Sequence, residues 1–282
     1  MTIGIIGMGY VGTALKEGFK NYYKVETYDL DNSLSSCNSI NMLLSKAEVI
    51  FLSVPTPMNK NGSCDLNIIE SIIAEIDSCL NNQSDKTIII KSTVPPGTTE
   101  ELNNKYHKFN IIFNPEFLTE ANFIEDFKNQ NRIILGGLKM NTAKIKSIYS
   151  KVFPNATIIE TDSTNAEMVK YFSNTFLATK VSFANEMKMI CDKLDIDYNK
   201  VVEYATYDNR LGNSHWSVPG PDGKLGFGGS CFPKDINALI FLASELGVES
   251  TLLKSVWDVN LKARPEKDWE ELKGRAITND KV

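Results

Sequence analysis

Seven apolar runs recur through the first 161 positions: TIGIIG (2–7), KVETYD (24–29), EVIFLSV (48–54), KTIIIKSTV (86–94), NIIFNPE (110–116), NRIILGG (131–137) and ATIIET (156–161). Stretches with helical periodicity separate several of them, over 11–20, 66–80, 119–128 and 141–152. A strand wetted on one side alternates apolar and polar residues, whereas a strand buried on both sides does not. Near-continuous β-branched runs therefore predict a mostly parallel sheet with helices on both faces, a Rossmann-like doubly wound α/β domain over residues 1–162.

The pattern changes after residue 161. Residues 163–196 contain neither glycine nor proline and predict one long helix, with Thr164 and Glu167 spaced as a capping box at its start. Apolar residues at 168, 172, 176, 183, 187 and 190, with Thr179 among them, trace one face, which predicts packing against a substantial partner. A helix near 199–206, a long Gly/Pro/Asn-rich loop over 207–230, and helices over about 234–247 and 250–272 complete an all-helical domain, 163–273. The polar end, 274–282, is expected to be a flexible tail.

Composition narrows the function classes. The 282 residues are 42% hydrophobic and 23% charged, ordinary for a globular protein. A net charge of −5 argues against nucleic-acid binding by bulk electrostatics. No run of 18 apolar residues predicts a membrane span, and the start, MTIGIIGMGYVG, lacks the features of a signal peptide, so a cytoplasmic location is expected. The five cysteines are odd in number, widely spaced and without a CxxC pair, which fits reduced thiols and offers no metal framework. With only two histidines, His107 and His215, acid–base work falls to carboxylates, lysine or thiol.

Gly7, Gly9 and Gly12 form GxGxxG between a strand and a helix, with Asp29 closing the next strand. That spacing fits a dinucleotide: a tight turn, close backbone approach to a pyrophosphate, and a carboxylate for the ribose hydroxyls that disfavours a 2′-phosphate, hence NAD. SVPTP (53–57) and KSTVPPGT (91–98) place Thr56 and Thr93 at strand carboxyl ends, where open α/β sheets bind ligands, although their prolines serve equally to end strands. NPEFLTE (114–120) puts Glu116 and Glu120 on one face if a helix begins there; from spacing alone they read as acidic residues near a helix N-terminus. Glu167, Lys170 and Asn174 share a stripe of the long helix, which by itself reads as solvated. GFGGSCFPKD (226–235) sets Cys231 before a helix that Pro233 starts, where the helix N-terminus favours thiolate, with Asp235 in the first turn. Gly226, Gly228 and Gly229 read as clearance for a substrate approaching a nucleophile.

GMGYVG, VPTP, KSTVPPGT, NPEFLTE, AEMVKYFSNTFLATKVSFANE and GFGGSCFPKD occur in the order found in the nucleotide-sugar 6-dehydrogenases, and the chain resembles that family from residue 2 to about 265. The resemblance implies NAD-dependent oxidation of a sugar C6 hydroxyl to a carboxylate, UDP-glucose being the substrate of the members most alike. It implies Cys231 as the nucleophile forming a thiohemiacetal and then a thioester, Lys170 as the oxyanion-stabilising cation, and Asp235 and Asn174 beside them. Glu120 is implied in thioester hydrolysis, and Thr93 in holding a water. Gly7, Gly9, Tyr10, Val11, Gly12, Asp29, Thr56, Thr93 and Lys234 are implied at the cofactor. Glu116, Phe117, Leu118, Lys170, Asn174, Arg210, Phe227 and Gly228 are implied at the substrate, Arg210 reaching a neighbouring subunit's site. A homodimer through helix 163–194 is implied, with no metal, nucleic acid or membrane partner. Family members continue into a second α/β domain that holds much of the uridine diphosphate, so the resemblance is to a short form ending at Val282. The loop GNSHWSVPGPDGK (212–224) is longer than the minimal pattern and offers His215 and Trp216 for substrate contacts. Two other readings stand beside this one: an NAD-binding protein inactive alone, requiring a separate partner domain or acting as a regulatory binder, and a single-step hydroxyacid dehydrogenase needing no thiol.

Overall fold

A computed structural model describes residues 1–279; the last part of the expected flexible tail, 280–282, lies outside the described residues. The chain forms two compact units: Met1–Thr56 with Leu66–Lys170, and Pro57–Asp65 with the chain from Tyr171 onward.

All seven apolar runs of the first unit are strands: β1 (Thr2–Ile6), β2 (Lys24–Tyr28), β3 (Val49–Leu52), β4 (Thr87–Ile90), β5 (Asn110–Phe113), β6 (Arg132–Gly136) and β7 (Thr157–Thr161). Their order is β2-β1-β3-β4-β5-β6-β7, and only the β5–β6 pairing is antiparallel. Helices α1 (Tyr10–Phe19), α2 (Ile40–Lys46), α3 (Asn67–Cys79), α4 (Thr98–Lys105), α5 (Phe123–Lys128) and α6 (Lys139–Val152) connect them. The continuous apolar strands have the expected cause. In β4, Ile88 and Ile90 point into one core cluster with Ile73 and Phe113, while Ile89 points into another with Phe19, Phe51 and Tyr149. Alternate residues leave opposite faces of a strand, and here both faces are dry.

The long helix is α7 (Ser163–Lys193). Ala166 and Val169 in its first turns pack into the sheet's core, so by contact the first unit extends to Lys170. Its start is capped by Asp162, whose Oδ1 accepts from the Asn165 N–H at 2.8 Å, rather than by a Thr164–Glu167 box.

The second unit continues with α8 (Tyr198–Ala205), α9 (Phe232–Glu245) and α10 (Thr251–Ala263). Segment 57–65 belongs here: the Met58 N–H donates to Ala276 O at 2.9 Å and the Thr278 N–H donates to Met58 O at 3.0 Å. Residues 274–279, expected to be flexible, are therefore paired, and Ala276 is buried. On the apolar face of α7, Phe172, Phe176 and Phe183 are 68, 57 and 54% exposed within the single chain. Among the described residues no helix is long and apolar enough to cross a membrane.

Glu167 holds the first unit's loops to α7. Its carboxyl accepts from the backbone N–H groups of Gly97 (2.6 Å) and Thr99 (2.9 Å), the open N-terminal donors of α4. Burial pushes this carboxyl up to about 7, against the pull of those donors and with a further push from Glu101. A folded-state value above the unfolded 4.5 means that the group's contribution is complete below that pH and is lost as pH rises through 7. Stability from this group alone should fall by roughly 3 kcal/mol across that window. Thermal melts at pH 5 and pH 8 check it: Glu167→Gln should show a smaller drop in Tm between the two than wild type, and an equal drop would refute the assignment.

Candidate functional site

The first unit presents a dinucleotide loop between β1 and α1. Gly7 takes a φ of +89°, and a Cβ on Gly12 would stand 1.9 Å from the Gly7 carbonyl oxygen, so the strand–helix approach requires glycine. A Cβ on Gly9 would meet nothing within 4 Å, which leaves open space over the helix N-terminus. Asp29 lies beside this loop: its Oδ2 accepts from the Met8 N–H at 2.6 Å, and its Oδ1 from the Asp31 N–H at 2.9 Å. Open space at a helix N-terminus and an adjacent carboxylate fit an NAD pyrophosphate and ribose. Tyr10 is exposed with its ring 5.1 Å from that of Phe123, and Val11 leans on the core. Thr56 Oγ1 donates to Thr93 O at 2.8 Å, joining the two threonines expected at strand ends.

The carboxyl end of β5 differs from the expectation. No helix starts near Glu116, so Glu116 and Glu120 share no helical face; α5 begins only at Phe123. Pro115 interrupts the chain, and Asp126 Oδ2 ties the intervening loop by accepting from the Thr119 N–H (2.8 Å) and Thr119 Oγ1 (2.5 Å). Glu116 is buried and Glu120 exposed. Lys170, only 7% exposed rather than solvated, donates to the Glu116 carbonyl oxygen and lies 5.3 Å from the Phe117 ring. Arg132 lies 4.2 Å from the same ring. Leu118 packs at the edge of the second core cluster.

One functional group here escaped sequence reasoning. Lys91, 4% exposed, donates to Asn114 Oδ1 at 3.0 Å and to Pro115 O at 3.4 Å, and stands 3.0 Å from Glu116 Oε2. That oxygen accepts no well-directed hydrogen bond, so the Lys91 charge is its main compensation. Burial lowers the Lys91 pKa, Glu116 opposes this, and Lys170 adds to the lowering. The available signal was a lysine directly continuing a fully apolar strand, TIIIK.

In the second unit, Cys231 occupies the N-cap position of α9 and is exposed. Its carbonyl oxygen accepts from the Asp235 N–H at 3.0 Å, the first turn of the helix. Asp235, 1% exposed, accepts from Asn174 Nδ2 at 2.6 Å and from Lys234 Nζ at 2.5 Å. Burial pulls the Lys234 ammonium down, but Asp235, Cys231 and Cys64 outweigh it and its pKa stands above the ordinary value. Lys234, expected at the cofactor, is thus first a charge partner of Asp235.

The glycines near Cys231 correct the reading as substrate clearance. A Cβ on Gly226 would fall 2.5 Å from Asn260 Oδ1, and one on Gly228 would fall 2.4 Å from Asp268 Oδ1 and 2.6 Å from Arg264; only Gly229 opens on empty space. Phe227, expected at the substrate, lies in a core cluster with Ile236 and Val256, and both its N–H and its C=O are bonded to Asn260. Arg210 is exposed and paired with Asp208. Trp216 is committed internally, its Nε1 donating to Gly212 O and its ring covered by Lys180 at 4.4 Å. Burial, with Lys180 nearby, lowers the His215 pKa, and its Nδ1 has no hydrogen-bond partner.

Comparison with known proteins agrees with this geometry. The family model described as "UDP-glucose/GDP-mannose dehydrogenase family, NAD binding domain" matches residues 15–153, and the model of that family's central domain matches 164–262. The UDP-glucose 6-dehydrogenase TuaD of Bacillus subtilis is 33% identical over 299 residues, covering 93% of this chain and 63% of its own length. The UDP-glucose 6-dehydrogenase of Rickettsia bellii is 39% identical over 228 residues, covering 79% of this chain and 51% of its own. The chain thus spans between half and two thirds of these curated relatives. A solved UDP-glucose dehydrogenase from the archaeon Pyrobaculum islandicum superimposes with a TM-score of 0.85 at 30% identity, covering 96% of this chain and 70% of that one. With both of its domain models matched in order and a relative's structure superimposed over nearly its whole length, the chain belongs to the UDP-glucose/GDP-mannose dehydrogenase family.

Proposed function

We propose that the chain carries the NAD-linked, four-electron oxidation of a nucleotide sugar's C6 hydroxyl to a carboxylate, with UDP-glucose as substrate. The observation that carries this reading is Cys231, exposed at the N-cap of α9, with the buried Asp235 four residues on clasped by Asn174 and Lys234. An oxidation that stops at a ketone or aldehyde needs no thiol, whereas one that proceeds to an acid is eased by a covalent acyl carrier.

NAD, when bound at the β1–α1 loop, supplies the two-electron acceptor for each oxidation. Cys231 Sγ adds to the C6 aldehyde carbon, the carbonyl electron pair moves to oxygen, and that oxygen takes up a proton to give a thiohemiacetal. Loss of a hydride from C6, two electrons and one proton, together with the hydroxyl proton leaves a thioester on Cys231. Water then attacks the acyl carbon, the C–S bond breaks with its pair returning to sulfur, and the carboxylate departs. Lys170 offers the fixed cation that favours oxyanion charge, and Asp235 takes the proton of the attacking water. Glu120 assists hydrolysis, and Thr93 holds a water. Glu116, Phe117, Leu118, Asn174 and Gly228 line the path of the substrate, with Arg210 serving a neighbouring subunit's site.

The exposed face of α7, where Phe172 and Phe176 stack with ring centroids 6.4 Å apart, supports a second copy of this chain as its cover. Sedimentation equilibrium should return a dimer that Phe172→Lys/Phe176→Lys reduces to monomer; a wild-type monomer at micromolar concentration would rule the dimer out.

Turnover is read at 340 nm with UDP-glucose and NAD. Two NADH per sugar are expected, Cys231→Ser should fall by at least about 1000-fold in complete turnover, and the absence of NADH with every UDP- and GDP-sugar would sink the proposal. Independently of activity, iodoacetamide should modify Cys231 well before the buried Cys37 and Cys191 when peptides are mapped by mass spectrometry. Modification of the buried pair first would contradict the placement of the nucleophile.

A further inference from the structure

The proposed chemistry leaves one buried charge beside the site without a role. Lys91 sits at the end of β4 with its side chain 2% exposed, and its ammonium reaches three consecutive residues of the corner after β5. It donates to the Asn114 side chain and the Pro115 carbonyl, and faces the Glu116 carboxylate at 3.0 Å. Asn114 is fixed a second time by Tyr149, whose hydroxyl donates to the same Oδ1 at 2.5 Å. The carbonyl of that corner's last residue, Glu116, receives the Lys170 ammonium.

A lysine whose only task is to fill space is costly at such a position, because burial works against its charge. Its geometry identifies what the charge does. The cluster holds one carboxylate, Glu116, and two ammoniums, Lys91 and Lys170. Glu116 Oε2 is buried and accepts no well-directed hydrogen bond, and the other ammonium bonded to this residue is that of Lys170, at its carbonyl. A carboxylate in that situation recruits the remaining ammonium, drawing Lys170 off the carbonyl and neutralising it.

We infer that Lys91 is a positioning residue for the reaction proposed above: by satisfying the Glu116 carboxylate and fixing the 114–116 corner, it leaves the Lys170 ammonium aimed by the Glu116 carbonyl and free to act on the sugar oxygen. Lys91 touches neither substrate nor cofactor in this role. Its effect passes through Glu116, and a double-mutant cycle separates that effect from simple support of the fold.

The inference rests on the proposed function, so the cycle is read in two ways, using the full chain as wild type, Lys91→Met, Glu116→Gln and the double variant. With UDP-glucose and NAD, Lys91→Met should lower kcat on the order of 100-fold, the scale of a lost oxyanion donor, with KM changed less than about threefold. In the Glu116→Gln background the same substitution should leave kcat within about threefold of Glu116→Gln alone, since no carboxylate remains to capture Lys170. An equal loss of kcat in both backgrounds, or none in either, overturns the inference. Where Lys91→Met does not fold, the double variant still reads it against Glu116→Gln. Should wild type give no NADH with any nucleotide sugar, the function reading fails, and thermal melts of the four proteins decide the coupling. A Tm loss in Lys91→Met that Glu116→Gln recovers supports it, and additive losses reject it.

Discussion

A parallel strand dry on both faces can carry no chemistry along its length. In β3 and β4 every residue is buried, and alternate side chains enter core clusters on opposite sides of the sheet. Reactive groups are thereby confined to the strand ends and the turns after them. Gly7, Thr56, Lys91 and Glu116 each follow the last residue of a strand by a few positions, and each is held by a contact to a neighbouring strand's end. The sheet thus sets the address of the site before any individual side chain is considered.

The cost of burying polar groups restrains side chains within each unit. Asp235 and Lys91 are each almost fully buried, and neither is left alone: two donors meet Asp235, and Lys91 meets three oxygens. An unpaired charge at either position would cost several kcal/mol, so each partner restrains the others' geometry. Such restraint is useful in catalysis, where a group displaced by about 1 Å loses much of its effect. The pairing of Lys234 with Asp235 has the same logic, adding positive charge near a thiol without exposing it to solvent.

What could be read from the chain follows the range of the forces involved. The inner strands were legible because two-sided burial leaves its mark on nearly every residue, whereas the half-exposed edge strands β2 and β7 were legible from their β-branched residues and place in the alternation; the β1–α1 loop was legible because Gly7, Gly12 and Asp29 lie within one βαβ unit. The start of α9 was equally local, set by Pro233. Contacts across long separations were not legible. Glu167 was paired with Thr164 on spacing, but its partners Gly97 and Thr99 stand 70 and 68 positions away. The supposed helix at Glu116 failed because Asp126, seven positions on, holds Thr119 in a loop that periodicity does not encode. Lys170, solvated on a helical wheel, proved buried because the corner it touches comes from β5.

The glycines before Cys231 serve a different purpose from the one their composition suggests. A run such as GFGG suggests mobility, yet Asn185 accepts from the Gly226 N–H, Asn260 clasps both backbone groups of Phe227, and Arg264 binds Asp222, Asp268 and the Leu225 carbonyl. Glycine is required there because the backbone lies against those side chains, where any Cβ on Gly226 or Gly228 would collide. A segment pinned at three successive points reaches the α9 N-cap with little conformational freedom left to lose. Cys231, the nucleophile of the proposed reaction, is therefore carried on a braced segment, and the entropy of placing it is met on folding.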